Sequence, residues 1–304
     1  MASLEDLARR IEVAEDLQSV VRTMKTISTV SIRRHEVAEQ EMRRYLAVVE
    51  RGLQVALRHV PRSAAGAGAP AAGPVEGKTG VVVIGSEIGL CGGFNERVVS
   101  FALDRLKAAG VGVGERLVLV VGSRAELGWR AEAGPPRHGE EAPTTIEALP
   151  AVVHNVLMRL DDWREAEAAS RLVLFHQRIA PAGGCAPVEV PLFPIDPGWL
   201  AELRGRPWPS RRLPACFGPP AAVTRDLVRQ LLYARVFTAV LQSRAAEHAE
   251  RAAAMQAADR SIGEKLDDLR ATHQRLRQET ITSELLDIIA GYEASATEAE
   301  GPRG

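Results

Sequence analysis

Apolar residues step along the first part of the chain at intervals of three and four: Leu4, Leu7, Ile11, Ala14, Leu17, Val21, Met24 and Ile27. Such spacing lines one face of a helix and reads as a coiled-coil seam. From Ser3 to Val60 there is no proline and a single glycine, Gly52, and Ser3 followed by Glu5 and Asp6 suits an N-cap at the positive end of a helix dipole. The pattern predicts one helix over residues 1–60, roughly 85 Å long at about 1.5 Å per residue. No compact domain needs a helix of that length, so the seam requires a partner helix.

The same spacing returns near the C-terminus through Leu227, Leu231, Ala234, Thr238, Leu241, Ala245 and Ala249, in a stretch free of proline that only Gly263 interrupts. This predicts a second long helix over 221–292. Paired antiparallel, the two helices would form a shaft stiffened by interdigitated seam residues such as Leu17, Met24, Leu241 and Met255.

Between the helices the period changes. Residues 61–77 are rich in Ala, Gly and Pro and read as a linker. Short apolar runs at Val81–Ile84, Leu117–Val121, Leu172–His176 and Val188–Pro194 then alternate with helical stretches at Glu96–Ala109 and Ile146–Leu160. That alternation predicts a Rossmann-like α/β middle domain over 78–200, its strands parallel where a helix crosses between them. Pro207, Pro209, Pro214, Pro219 and Pro220 mark residues 201–220 as a second linker, and 293–304 read as a disordered tail. The fold class is α/β: a long antiparallel coiled coil of the terminal helices plus this middle domain.

Charge narrows the function classes. Thirty-eight basic and thirty-nine acidic residues, mixed along the chain, leave a net charge of −1 and no broad positive field to hold nucleic acid. Cys91, Cys185 and Cys216 show no CxxC spacing, which suits a reduced, cytoplasmic compartment. No apolar stretch approaches the roughly 20 residues that span a bilayer, so membrane association is expected to run through partners.

Familiar chemistry is missing at the motif level. The turn Gly89, Leu90, Cys91, Gly92, Gly93, Phe94, Asn95 follows a strand where a dinucleotide loop would lie, but its spacing does not fit GxGxxG. Gly89, Cys91, Gly92, Gly93 and Asn95 therefore read as a structural turn. Gly77-Lys78-Thr79 imitates the end of a phosphate-binding loop, yet it precedes its strand and Ala72 stands where the first glycine should be. The seven histidines are scattered without HExxH or Cys/His spacing, so no metal, cofactor, catalytic residue or small-molecule substrate is expected. Periodicity alone still leaves open a dimerising coiled-coil scaffold and a stand-alone nucleotide-binding α/β protein.

The run Arg277-Gln278-Glu279-Thr280-Ile281-Thr282-Ser283-Glu284-Leu285 resembles the signature near the end of F-type ATP synthase gamma subunits. Three more matches stand in the same order: Gln18, Met24 and Arg33-Arg34; the Gly89–Asn95 turn; and Ala253-Ala254-Met255 with Ala257-Ala258-Asp259. The resemblance implies a non-catalytic central rotor whose partners are alpha and beta subunits, an epsilon subunit and the membrane c-ring, peripheral on the cytoplasmic side of the inner membrane. It also implies that Arg277, Gln278, Thr282 and Glu284 contact loops of the catalytic beta subunits. His273-Gln274, Gly291-Tyr292-Glu293, Thr26 and Ser31 depart from the family pattern and suggest an alternative F-type ATPase.

Overall fold

The computed structural model describes residues 3–60, 77–212 and 214–299. The expected linker at 61–77 lies outside the described residues except for Gly77. In chain order the elements are α1 (Leu4–His59), β1 (Thr79–Ile84), α2 (Phe94–Ala108), β2 (Arg116–Val121), α3 (Ser123–Ala133), β3 (His138–Glu140), α4 (Leu149–Ala166), β4 (Arg171–Ile179), β5 (Cys185–Phe193), α5 (Pro197–Gly205) and α6 (Pro220–Ala299). They fall into two compact units, one of residues 27–253 and one of residues 1–26 with 254–304.

The larger unit is built on a five-stranded sheet in the order β3-β2-β1-β4-β5. The first four strands run parallel and β5 returns antiparallel to β4. All six residues of β1 are buried, as a central parallel strand covered on both faces demands. One face packs Val82, Ile84 and Leu174 against α4 and against Val236, Val240 and Leu241 of α6. The other packs Val81, Val83 and Phe175 against α2 and α3. Leu241, expected in a seam between the two long helices, is fully buried in the cluster under the sheet, with Ala38 and Met42 of α1 at its edge. A third cluster joins Val49, Leu53 and Leu57 of α1 to Leu203 of α5 and Leu231 of α6.

The smaller unit is an antiparallel helix pair. Arg22 bonds Asp259 at 3.0 Å and Arg270 bonds Glu15 at 2.5 Å, so chain numbers rise along one helix as they fall along the other. Ser3 starts α1 with a reciprocal cap, its Oγ accepting the Asp6 N–H at 3.1 Å while Asp6 accepts the Ser3 N–H at 3.3 Å.

Several expectations need correction. Leu17 is 53% exposed and Ile27 59% exposed. Continuing the 3.5-residue period from Ile11 and Ala14 places the seam at Gln18, and in the larger unit at Ser28 and His35, all buried or half-buried. Following the apolar residues instead of the period loses the register there. Three elements were not expected: α3, the three-residue β3, and α5, which lies across the boundary set at 200. α6 runs on through 293–299, the start of the expected tail, because Glu and Ala there are strong helix formers; residues 300–304 lie outside the described residues.

Candidate functional site

Three groups of residues were singled out by sequence: the turn lies in the larger unit, the C-terminal group in the smaller, and the seam residues are divided between them. The Gly89–Asn95 turn lies in the larger unit, between β1 and α2. Asn95 fastens it to the end of β1: its Oδ1 accepts the Ser86 N–H at 2.9 Å and its Nδ2 donates to Ser86 Oγ at 2.8 Å. Cys91 Sγ sits 3.5 Å from the same hydroxyl, and the Gln177 side chain donates to the Phe94 carbonyl. Gly92 has φ +56, a conformation that favours glycine. Leu90 takes φ +62 without that freedom, as a residue held by its surroundings can.

The surroundings are helix α6. Arg251 donates Nη2 to the carbonyls of Ile88 at 3.0 Å and Gly89 at 3.3 Å, and its Nε to Gly89 at 3.3 Å. Its charge is matched by Glu247 at 2.6 Å, which also pairs with Arg244. All three side chains are buried, and only a doubly paired carboxylate makes that tolerable. One turn away Arg97 of α2 meets Glu250 at 2.7 Å, and Ser243 Oγ approaches the Ile84 carbonyl at 3.4 Å.

The geometry decides what the sheet can hold. In this strand order the chain reverses direction between β1 and β4, and the crevice beyond the carboxyl ends at such a switch point is the usual ligand site of doubly wound sheets. Here Ser243, Ala246, Glu247 and Arg251 of α6 stand in that place, with Ala246 packed on Cys91 and Phe94. The turn thus works as a socket for a helix.

The titratable groups around it are quiet. Burial raises the Cys91 thiol and pushes Cys185 up to about 12, which keeps both protonated and weakly nucleophilic. His35 and His248 face each other with ring centroids 5.4 Å apart. Burial lowers both, His248 to about 3 with Arg244 adding to the effect, so the rings stay neutral. Burial likewise lowers His176 to about 4.

The remaining groups belong to the helix pair, except Leu241. Met255 is buried and Met24 half-buried in its seam, whereas Leu17 points away from it. On α6 the seam continues through Ile262, Leu266, Leu269 and Leu276 and then stops: every residue from Arg277 to Ala290 is exposed. Arg277, Gln278, Thr282 and Glu284 are therefore presented together on a helix end that has left its partner. The Thr282 hydroxyl donates back to the Gln278 carbonyl at 2.8 Å.

Sequence reading missed two features here. Ile281, Leu285 and Ile288 form an apolar stripe on this exposed end at one-turn spacing, joined on one flank by Ile289. At about 100° per residue, Arg277 and Glu284 border the stripe on one side, Gln278 and Thr282 on the other. Its signal was a fresh three-and-four spacing after Leu276, set on a different face of the helix from the seam, whose own continuation falls on the polar Thr280, Ser283 and Asp287. The Arg244-Glu247-Arg251 ladder was legible as charges three and four apart inside an alanine-rich stretch.

A family model described as ATP synthase matches residues 3–294. The ATP synthase gamma chain of Brucella canis is 28% identical over 302 residues, covering 97% of this chain and all of the relative. That of Paracoccus denitrificans is 29% identical over 310 residues with the same coverage. Among solved structures, a chain of the Euglena gracilis mitochondrial ATP synthase, OSCP/F1/c-ring, superposes with a TM-score of 0.64 at 16% identity, covering 98% of this chain and 96% of that one. A chain from the Tetrahymena thermophila central stalk and c-ring gives 0.53 at 18% identity, covering 79% of this chain and 99% of that one.

Proposed function

The chain belongs to the ATP synthase gamma family, and on that premise we propose that it is the non-catalytic rotor of an F-type ATP synthase, coupling ion flow through a membrane ring to nucleotide turnover in an alpha/beta hexamer. The observation that carries this reading is the C-terminal end of α6. A helix that leaves its partner and exposes Ile281, Leu285, Leu286, Ile288 and Ile289 needs a receptor with an apolar wall. Arg277 and Glu284 on one border of the stripe, and Gln278 and Thr282 on the other, are placed to meet polar loops of catalytic beta subunits lining that wall. Arg277 would fork onto a carboxylate there.

In this reading energy enters as differential affinity. One asymmetric shaft facing three equal catalytic subunits favours a different nucleotide state in each, so no nucleotide needs to touch this chain. Met24 and Met255 would serve shaft stiffness by packing, while Leu241 would fasten α6 to the sheet. The division into a shaft of 1–60 with 221–292 and a middle domain at 78–200 would separate the part inside the hexamer from the part facing epsilon and the c-ring. Among the described residues no helix is long and apolar enough to cross a membrane, which fits attachment through the complex on the cytoplasmic face. The socket filled by α6 speaks against nucleotide binding in the middle domain.

Removing residues 277–304 tests the handhold. Those residues are exposed as far as Ala290, so the truncated chain should fold and enter the complex, while ATP-driven ion pumping per ATP hydrolysed falls. Pumping at the full-length ratio would remove Arg277, Gln278, Thr282 and Glu284 from the coupling path.

A further inference from the structure

Inside the larger unit, α1 and α6 meet at one level through two histidines. His35 of α1 and His248 of α6 are both buried, with ring centroids 5.4 Å apart and planes tilted by 40°. Their hydrogen-bond partners fix where each neutral ring keeps its proton. His35 Nδ1 lies 2.7 Å from the Ser31 carbonyl, which only accepts, so Nδ1 carries the hydrogen and Nε2 holds the lone pair. His248 Nδ1 lies 3.5 Å from Arg251 Nη1, which only donates, so here Nδ1 is the acceptor and Nε2 carries the hydrogen.

Each ring would take a second proton at an atom that has no use for one. On His35 it would land on Nε2, which is buried and has no hydrogen-bond partner among the described residues. On His248 it would land on Nδ1, turning the acceptor that serves Arg251 into a donor aimed at a guanidinium. The surroundings do not absorb the added charge. α6 presents Arg244 and Arg251 with Glu247, two cations against one carboxylate that both already use. Glu39, one turn along α1 from His35, is taken by Arg43 and by Gln242, each at 2.6 Å. In the turn after β1, Glu87 accepts from the N–H groups of Ser123 at 3.2 Å and Ala142 at 3.0 Å. Two charged rings at this separation would also repel each other.

We propose that the His35–His248 pair is an acid-released latch between α1 and α6, closed while both rings are neutral and opened when either ring takes a second proton. Because Arg251 joins His248 to the carbonyls of Ile88 and Gly89, opening also loosens α6 from the turn after β1. The latch goes beyond the rotor assignment and does not rest on it. It holds fully above about pH 6.5, where a free imidazole is neutral, and weakens as pH falls toward the closed-state value, which burial and then Arg244 lower to about 3 for His248.

Hydrogen exchange of the full-length chain between pH 7 and pH 5, corrected for the intrinsic rate, reads the opening. His248 alone should raise the opening constant of residues 31–39 and 244–251 roughly 25-fold across that interval, while β1 keeps its protection. His35→Asn retains a donor for the Ser31 carbonyl and His248→Asn an acceptor for Arg251, and neither can take a charge, so the two changes together should flatten the response. Protection of the wild-type chain unchanged down to pH 5 would overturn the proposal whatever the variants do. So would a response of the same size in the doubly substituted chain, or one that spreads equally to β1, which would assign it to the buried His176 on the neighbouring strand β4.

Discussion

At the scale of single residues, the most consequential group is Arg251. It carries a full charge in a buried place because Glu247 neutralises it and the carbonyls of Ile88 and Gly89, where the turn begins, accept from its Nε and Nη2. Arg251→Gln should cost about 3–5 kcal/mol, since it leaves Glu247 half-paired and the carbonyls of Ile88 and Gly89 without their donor. Urea unfolding of the purified chain measures this, and a change within experimental error would mean the ladder is not a structural tie. The turn shows how far residue-level reading reaches. Its glycines announced a tight turn, and failure of the GxGxxG spacing argued against a dinucleotide. What fills the crevice was hidden, because Arg251 lies more than 150 positions away. The Gly122 neighbour was hidden for the same reason: at φ +102, an added Cβ would lie 2.7 Å from the Ser86 carbonyl oxygen, a constraint that exists only once β1 and β2 are adjacent.

At the scale of elements, both long helices were legible from period and from the lack of proline, since nothing else buries every third and fourth residue over such a length. The seam register was less legible. Leu17 is apolar and exposed while Gln18 is polar and half-buried, its Nε2 reaching the Asp259 carbonyl at 3.5 Å. A seam keeps its period and accepts a polar residue where the period falls, often fixing register by doing so. Leu17→Ser should therefore move stability by no more than about 0.5 kcal/mol, whereas Met255→Ala should cost about 2–5 kcal/mol through lost burial and the cavity left behind. Paired thermal melts check the contrast, and equal losses would restore Leu17 to the seam. The elements missed, α3, β3 and α5, are short, and α5 hides among prolines. Asp196 at its N-cap, accepting the Gly198 N–H at 2.8 Å, and Pro197 in its first turn were the available signals.

At the scale of the whole molecule, the sequence motifs and the family match agree on a gamma-type chain, and the structure adds which surfaces are left exposed. The exposed end of α6 offers an apolar stripe between polar borders, and at the switch point of the sheet Ser243, Ala246 and Arg251 of α6 fill the place of a ligand. What pattern alone could not decide was scaffold against rotor, because a seam states only that a partner exists. The end of that seam at Leu276 makes the difference, since a simple antiparallel scaffold has no use for a further exposed apolar stripe.

The central claim is tested most directly by rotation. Alpha and beta subunits are assembled with this chain, the hexamer is fixed to a surface, and a bead is attached to the middle domain through an engineered surface cysteine. Continuous one-way turning on addition of ATP, stopping when ATP is exhausted, is the expected result. Hydrolysis by the assembled complex with the bead stationary, or no assembly at all, would contradict it.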